Sequence, residues 1–168
     1  GRPLRLDIRV MSVSGVAHGT SHYFQLVLPP LFPFLIAEFQ TTYLELGALM
    51  TVFFIVSGIG QPLAGFAVDR FGARRVLLFG LGVYALAIAG LGLAPSFAWL
   101  FPFMALAGIG NSVFHPADFT LLNNNVRTAY LGRAFGVHTL GGNLGWALAP
   151  ASMLLIASWF DWRTALVA

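Results

Sequence analysis

Five long apolar runs, at about residues 10–37, 44–67, 76–94, 97–122 and 131–158, are separated by polar breaks of only a few residues. A helix needs roughly 20 apolar residues to cross a hydrocarbon core of about 30 Å, so each run is long enough and the breaks leave no room for a soluble domain. In lipid a spanning segment must satisfy its own backbone hydrogen bonds, which makes the expected fold an all-α membrane protein. Composition agrees: 9% of residues are charged, against about 25% in a soluble domain. A sixth run opens at Arg163 and reaches only to Ala168. The expected organisation is one transmembrane bundle over 1–168, with five complete helices and a partial sixth over 163–168.

The basic residues fix an expected orientation. All nine are arginines, and eight fall in alternate breaks: Arg2, Arg5 and Arg9 before the first run, Arg70, Arg74 and Arg75 after the second, Arg127 and Arg133 after the fourth. The other breaks hold Glu38 and Glu45, then the uncharged Ala94-Pro95-Ser96, then Asp161 with the lone Arg163. Arginine in short loops is retained in the cytoplasm, so the amino terminus is expected to be cytoplasmic in a multi-pass membrane protein. A cleaved signal would also open with arginines before an apolar run. Prolines, two histidines and four further runs argue against it. The absence of cysteine excludes disulfides and thiolate metal sites.

Small residues recur at helical spacing in Gly132-x3-Gly136, Gly141-x3-Gly145 and the pair Gly58 and Gly65, which predicts close helix packing there. Pro29, Pro30, Pro33, Pro62, Pro102, Pro116 and Pro150 lie inside the runs. Each removes one helical hydrogen bond and is expected to bend its helix.

The second break is more than a basic loop. In Gly65-Phe66-Ala67-Val68-Asp69-Arg70-Phe71-Gly72-Ala73-Arg74-Arg75, Gly72 suits a positive-φ turn. Asp69 beside Arg70 and Arg74 can form a charge-assisted latch. This G-x-x-x-D-R-x-G-x-R-R pattern resembles the signature loop of the major facilitator superfamily, which implies half of a twelve-helix transporter fold and a gating role for Gly65, Asp69, Arg70, Gly72, Arg74 and Arg75. Ala73 stands where many members carry a basic residue, so the resemblance assigns any carboxylate partner to Arg74 or Arg75. Further stretches resemble the fosmidomycin-resistance-like branch: His18 before Pro29-Pro30-Leu31-Phe32-Pro33, Gly108-Ile109-Gly110-Asn111-Ser112-Val113-Phe114-His115-Pro116, and Gly141-Gly142-Asn143-Leu144-Gly145 with Pro150. That branch implies a bacterial inner-membrane exporter. Two positions depart from the family pattern: His22 stands where an acidic residue is expected, and Met104 where many proton antiporters carry arginine.

Polar side chains within a membrane span face the bundle or a wet cavity. His18, His22 and Gln25 share one helical face by their i, i+4, i+7 spacing, as do Asn111, His115 and Asp118. In the resembling family the first and fourth spans line the central cavity, which makes His18, His22, Gln25, Asn111 and His115 the expected solute contacts, with His138 and Asn143 beside them. Asp118 has two competing roles, a latch to Arg74 or Arg75 and a buried coupling carboxylate.

The expected function is secondary active transport of a small organic solute by alternating access, as a proton-coupled drug or metabolite exporter or antiporter. Its partners would be the solute, protons, the lipid bilayer and a missing carboxy-terminal six-helix half; no cofactor, metal or nucleic acid is called for. Two alternatives remain open, a histidine-lined metal-ion carrier and a non-transporting remnant of a carrier gene. The metal reading lacks a carboxylate or thiol to complete its site. An enzyme is not expected, since Ser112 and His115 have no third group to orient the histidine.

Overall fold

The computed structural model describes residues 3–168, and Arg2 lies outside the described residues. Among the described residues there is no strand, and the helices in chain order are α1 (Leu4–Gln25), α2 (Phe32–Phe39), α3 (Tyr43–Phe71), α4 (Ala73–Gly92), α5 (Phe97–Ser112), α6 (Phe114–Asn125), α7 (Leu131–Trp159) and α8 (Trp162–Val167). Four stretches, Tyr43–Phe71, Ala73–Gly92, Phe97–Asn125 and Thr128–Trp159, are long and apolar enough to cross a membrane. The expected fifth crossing, α1 with α2, is not among them: it is less apolar, and Asp7, Ser14, His18 and Ser21 line its buried side. Its residues 4–39 reach about 50 Å at 1.5 Å per residue, ample for the span.

Two of the five runs are broken, and proline sets where. A proline ring clashes with the carbonyl four residues earlier and offers it no N–H. α1 stops at Gln25, four residues before Pro29, and α5 stops at Ser112, four residues before Pro116. Pro33, by contrast, sits in the first turn of α2, where its missing N–H costs nothing. Pro62, Pro102 and Pro150 lie inside helices that continue through them. Of the prolines inside the runs, only those at these two breaks coincide with the end of a helix.

α1 and α7 form the tightest crossing, and it depends on glycines from both helices. A Cβ on Gly141 would collide with the Gly15 carbonyl and one on Gly145 with the Gly19 carbonyl, while a Cβ on Gly19 would lie 2.9 Å from the Gly141 carbonyl. Gly15-x3-Gly19 thus interlocks with Gly141-x3-Gly145. The same spacing misleads elsewhere. A Cβ on Gly58, Gly65, Gly132 or Gly136 would meet nothing within 4 Å, so these glycines do not pack inside this bundle. Among the described residues, no helix packs against these positions of α3 and α7.

Ion pairs tie both ends of the bundle. Fully buried Asp7 accepts from Arg127 Nε at 2.6 Å and from its backbone N–H at 3.3 Å, fastening α1 to the turn before α7. At the opposite end Glu38 accepts from Arg163 Nη2 and from Trp162 Nε1, each at 2.6 Å. Arg163 Nη1 also donates to the carbonyls of Gly92 and Ala94 at 3.0 and 2.8 Å, so α2, α4 and α8 meet at one residue. Trp99, Trp159 and Phe160 stand exposed on the Glu38 side. There α3 begins with a capping box, Thr42 Oγ1 accepting from the Glu45 N–H and the Glu45 carboxylate from the Thr42 N–H.

The turn between α3 and α4 is a single residue, Gly72, at φ 85°, the conformation its sequence position predicts. The latch across it is not made. Asp69 forms no ion pair among the described residues, and Arg70 lies over the ring of its neighbour Phe71 at 5.6 Å. Asp69, Arg70, Arg74 and Arg75 are all exposed, where pairing gains little over hydration.

Candidate functional site

Four histidines from three helices converge in the middle of the bundle. α1 supplies His18 and His22 one turn apart, α6 supplies His115 just beyond the Val113 break, and α7 supplies His138. The His18 ring lies 3.6 Å from that of His138, nearly parallel to it, 4.1 Å from His22 and 5.2 Å from His115. Gly142 makes this possible: a Cβ there would sit 2.7 Å from His18 Cδ2 and 2.8 Å from His22 Nδ1.

Asp118 lies at the base of the group. Its side chain is fully buried, accepts from Ser14 Oγ at 3.2 Å, and stands 3.3 Å from His138 Nε2 and 3.9 Å from His18 Nδ1. The expected link to Arg74 or Arg75 is absent among the described residues, because Asp118 points inward between α1 and α7 while those arginines are exposed at the turn. Nor is a carboxylate missing from the histidine group. Asp118, His18 and His138 each offer a ligand atom within 4.8 Å of the others.

A second layer surrounds this centre. Asn111 accepts from Ser21 Oγ at 2.9 Å and donates to Ser57 Oγ at 2.7 Å, joining α5 to α1 and α3. Trp146 stacks on His22 at 4.3 Å and donates through Nε1 to Gln25 at 2.9 Å. Phe119 packs 5.7 Å from His115 and 5.6 Å from His138. Trp146 and Phe119 remain 42% and 43% exposed, and His22 and His115 only partly buried, so the group shows one face to its surroundings. It forms a wall rather than a closed chamber.

Of the residues expected from sequence, His18, His22, Gln25, Asn111, His115, His138 and Asp118 are brought into one contiguous set. Asn143 is not: it is exposed and lies five residues past His138, about 140° around α7 at 100° per residue. Ser14, Ser21 and Ser57 were missed, although Ser14 and Ser21 share the His18 face by their i−4 and i+3 spacing. Ser112 donates its hydroxyl to the Ile109 carbonyl at 2.7 Å, a bond within its own helix.

A family model described as Major Facilitator Superfamily matches residues 14–168. The chain belongs to that superfamily. An uncharacterised major facilitator transporter of Bacillus subtilis is 31% identical over 153 residues, covering 88% of this chain and 36% of the relative. The fosmidomycin resistance protein of Escherichia coli is 28% identical over 149 residues, 87% of this chain and 36% of the relative. The niacin transporter of Acinetobacter baylyi is 28% identical over 131 residues, with 78% and 30% covered. This chain therefore spans about a third of the length of the curated relatives it matches. Major facilitator proteins are membrane transporters of small solutes, not enzymes, and the broken, polar α1 and α5–α6 are the crossings that carry most of the polar site in this member.

Proposed function

We propose that this chain is the amino-terminal helical bundle of a secondary active transporter, which moves a small organic solute across a bacterial inner membrane by alternating access. The observation that carries the reading is the one-sided wall: imidazoles, an amide and an indole from α1, α5–α6 and α7 gather at mid-bundle and present one face. A second six-helix half, supplied by the length that the relatives have beyond this match, would provide the opposite wall. Mid-membrane sites between two such halves are what rigid rocking alternately exposes.

The bundle is built to move as one body. Asp7–Arg127 at one end and Glu38–Arg163 at the other tie the first crossing to the later helices, while the glycine crossing locks α1 to α7 between them. The exposed Asp69, Arg70, Arg74 and Arg75 are then free to meet the other half, and the latch role of this loop lies between halves instead of within this one. The amino terminus is cytoplasmic in this reading, and the exporter exchanges solute for protons.

The test is transport by the full chain in vesicles, screened over organic solutes, with and without an imposed proton gradient. Trp146→Ala and His22→Ala are expected to lower solute flux about fivefold, the loss of one good stacking contact being worth roughly 1 kcal/mol. A protonophore is expected to abolish accumulation. Flux unchanged by both substitutions would remove the wall from the solute path.

A further inference from the structure

We propose that His18, His138 and Asp118 form a binding site for a divalent transition-metal cation of the zinc class, ligated by His18 Nδ1, His138 Nε2 and Asp118 Oδ2. The inference does not depend on which solute is carried. It starts from a carboxylate buried with no arginine against it among the described residues. A buried carboxylate without a compensating charge is among the most costly groups a protein can hold.

The neighbours of Asp118 satisfy it poorly as hydrogen-bond donors. Ser14 Oγ is 3.2 Å away and His138 Nε2 3.3 Å, both beyond the usual distances for a hydroxyl or a charged donor on a carboxylate. His18 Nδ1, on a side chain 5% exposed, has no hydrogen-bond partner among the described residues and faces Asp118 Oδ2 from 3.9 Å. These separations are long for hydrogen bonds but suited to ligands sharing one ion. With metal–nitrogen and metal–oxygen bonds of about 2.0–2.2 Å, tetrahedral ligands stand roughly 3.3–3.5 Å apart. The observed edges are 3.3 Å, 3.9 Å and one within 4.8 Å, so modest movement of the two rings closes the triangle.

The donor set selects the class of ion. Two imidazoles and one carboxylate suit zinc, cobalt, nickel or copper, whereas magnesium and calcium take oxygen ligands throughout. Three protein ligands leave a fourth position open, as in sites where an exchangeable ligand binds. His115, whose Nδ1 is also buried without a partner among the described residues, and the partly exposed His22 have rings 5.2 and 4.1 Å from that of His18. Gly142 is part of the site, because any side chain there would displace the His18 ring.

The test uses the full chain, purified in detergent through a histidine-free tag, stripped of metal and titrated with cobalt(II). One cobalt per chain is expected, with the intense visible absorption of a tetrahedral ion, and stoichiometric displacement by zinc. Asp118→Asn and His138→Gln should each weaken binding by about 100-fold, at or beyond what losing an outer-shell partner costs, and Asp161→Asn should leave it unchanged. Gly142→Ala should weaken it with every donor still in place. Size-exclusion profile and helical circular dichroism establish that each variant is folded. A folded wild type that binds no cobalt, or shows only weak octahedral absorption, overturns the site. So does cobalt binding that survives the double variant Asp118→Asn with His138→Gln. Solute flux measured on the same variants is scored separately, so the metal site and the transport reading can fail independently.

Discussion

Asp7 and Glu38 look alike in sequence, single acids near the ends of one broken helix, and the structure gives them different physics. Asp7 is fully buried against Arg127, whose own side chain is 39% exposed. Removing the carboxylate strands half of a partly buried pair, and Asp7→Ala is expected to cost about 2 kcal/mol, between the surface and the fully buried cases. Thermal unfolding of the detergent-solubilised protein would show it. Glu38 is more open. Burial pushes its carboxyl up, but the hydrogen bonds from Arg163 and Trp162, with the arginine's charge, outweigh that and hold it below the ordinary carboxylate range. Its contribution is complete above that ordinary range and disappears as pH falls through the lowered value. Wild type should therefore lose its stability advantage over Glu38→Gln in acid, while the two curves run parallel at neutral pH and above.

At the scale of helices, the glycine crossing makes a sharp prediction. Gly141→Val and Gly145→Val drive methyl groups into the backbone of α1 and should each cost about 1–3 kcal/mol, the usual range for overpacking, whereas Gly132→Ala and Gly136→Ala should leave the melting of this bundle unchanged. The sequence held both pairs at identical spacing. Nothing in the spacing of α7 alone told them apart, because the difference lies in whether a partner glycine, Gly15 or Gly19, stands opposite. Helix position was more legible. The runs placed at 44–67, 76–94, 97–122 and 131–158 correspond to Tyr43–Phe71, Ala73–Gly92, α5 with α6, and Leu131–Trp159, since apolar length is a one-dimensional property. The breaks at Gln25 and Ser112 were less so: each lies four residues before a proline, but Pro62, Pro102 and Pro150 carry the same local signal inside helices that continue. The histidine group was half legible: i, i+4, i+7 spacing put His18, His22 and Gln25 on one face, but the contacts of Asp118 with Ser14 and His138 join residues 104 and 20 positions apart on different helices and have no local signature.

For the whole molecule, the arginine count is the claim most open to direct attack. The turn at Gly72, the Arg127 turn and the start of α1 lie at one end of the bundle, and Glu38, Ala94 and Arg163 at the other. Compartment-sensitive reporters fused after Gln40 and after Arg127 are therefore expected in opposite compartments, the second in the cytoplasm. Reporters found together would undo the membrane topology. The same placement separates the two ion pairs by the thickness of the bilayer. Each answers only to the solution on its own side, so in the orientation proposed above acid applied outside would loosen Glu38 from Arg163 while Asp7 kept its grip on Arg127. A cell that acidifies its surroundings would thereby soften one rim of the protein and leave the other rim firm.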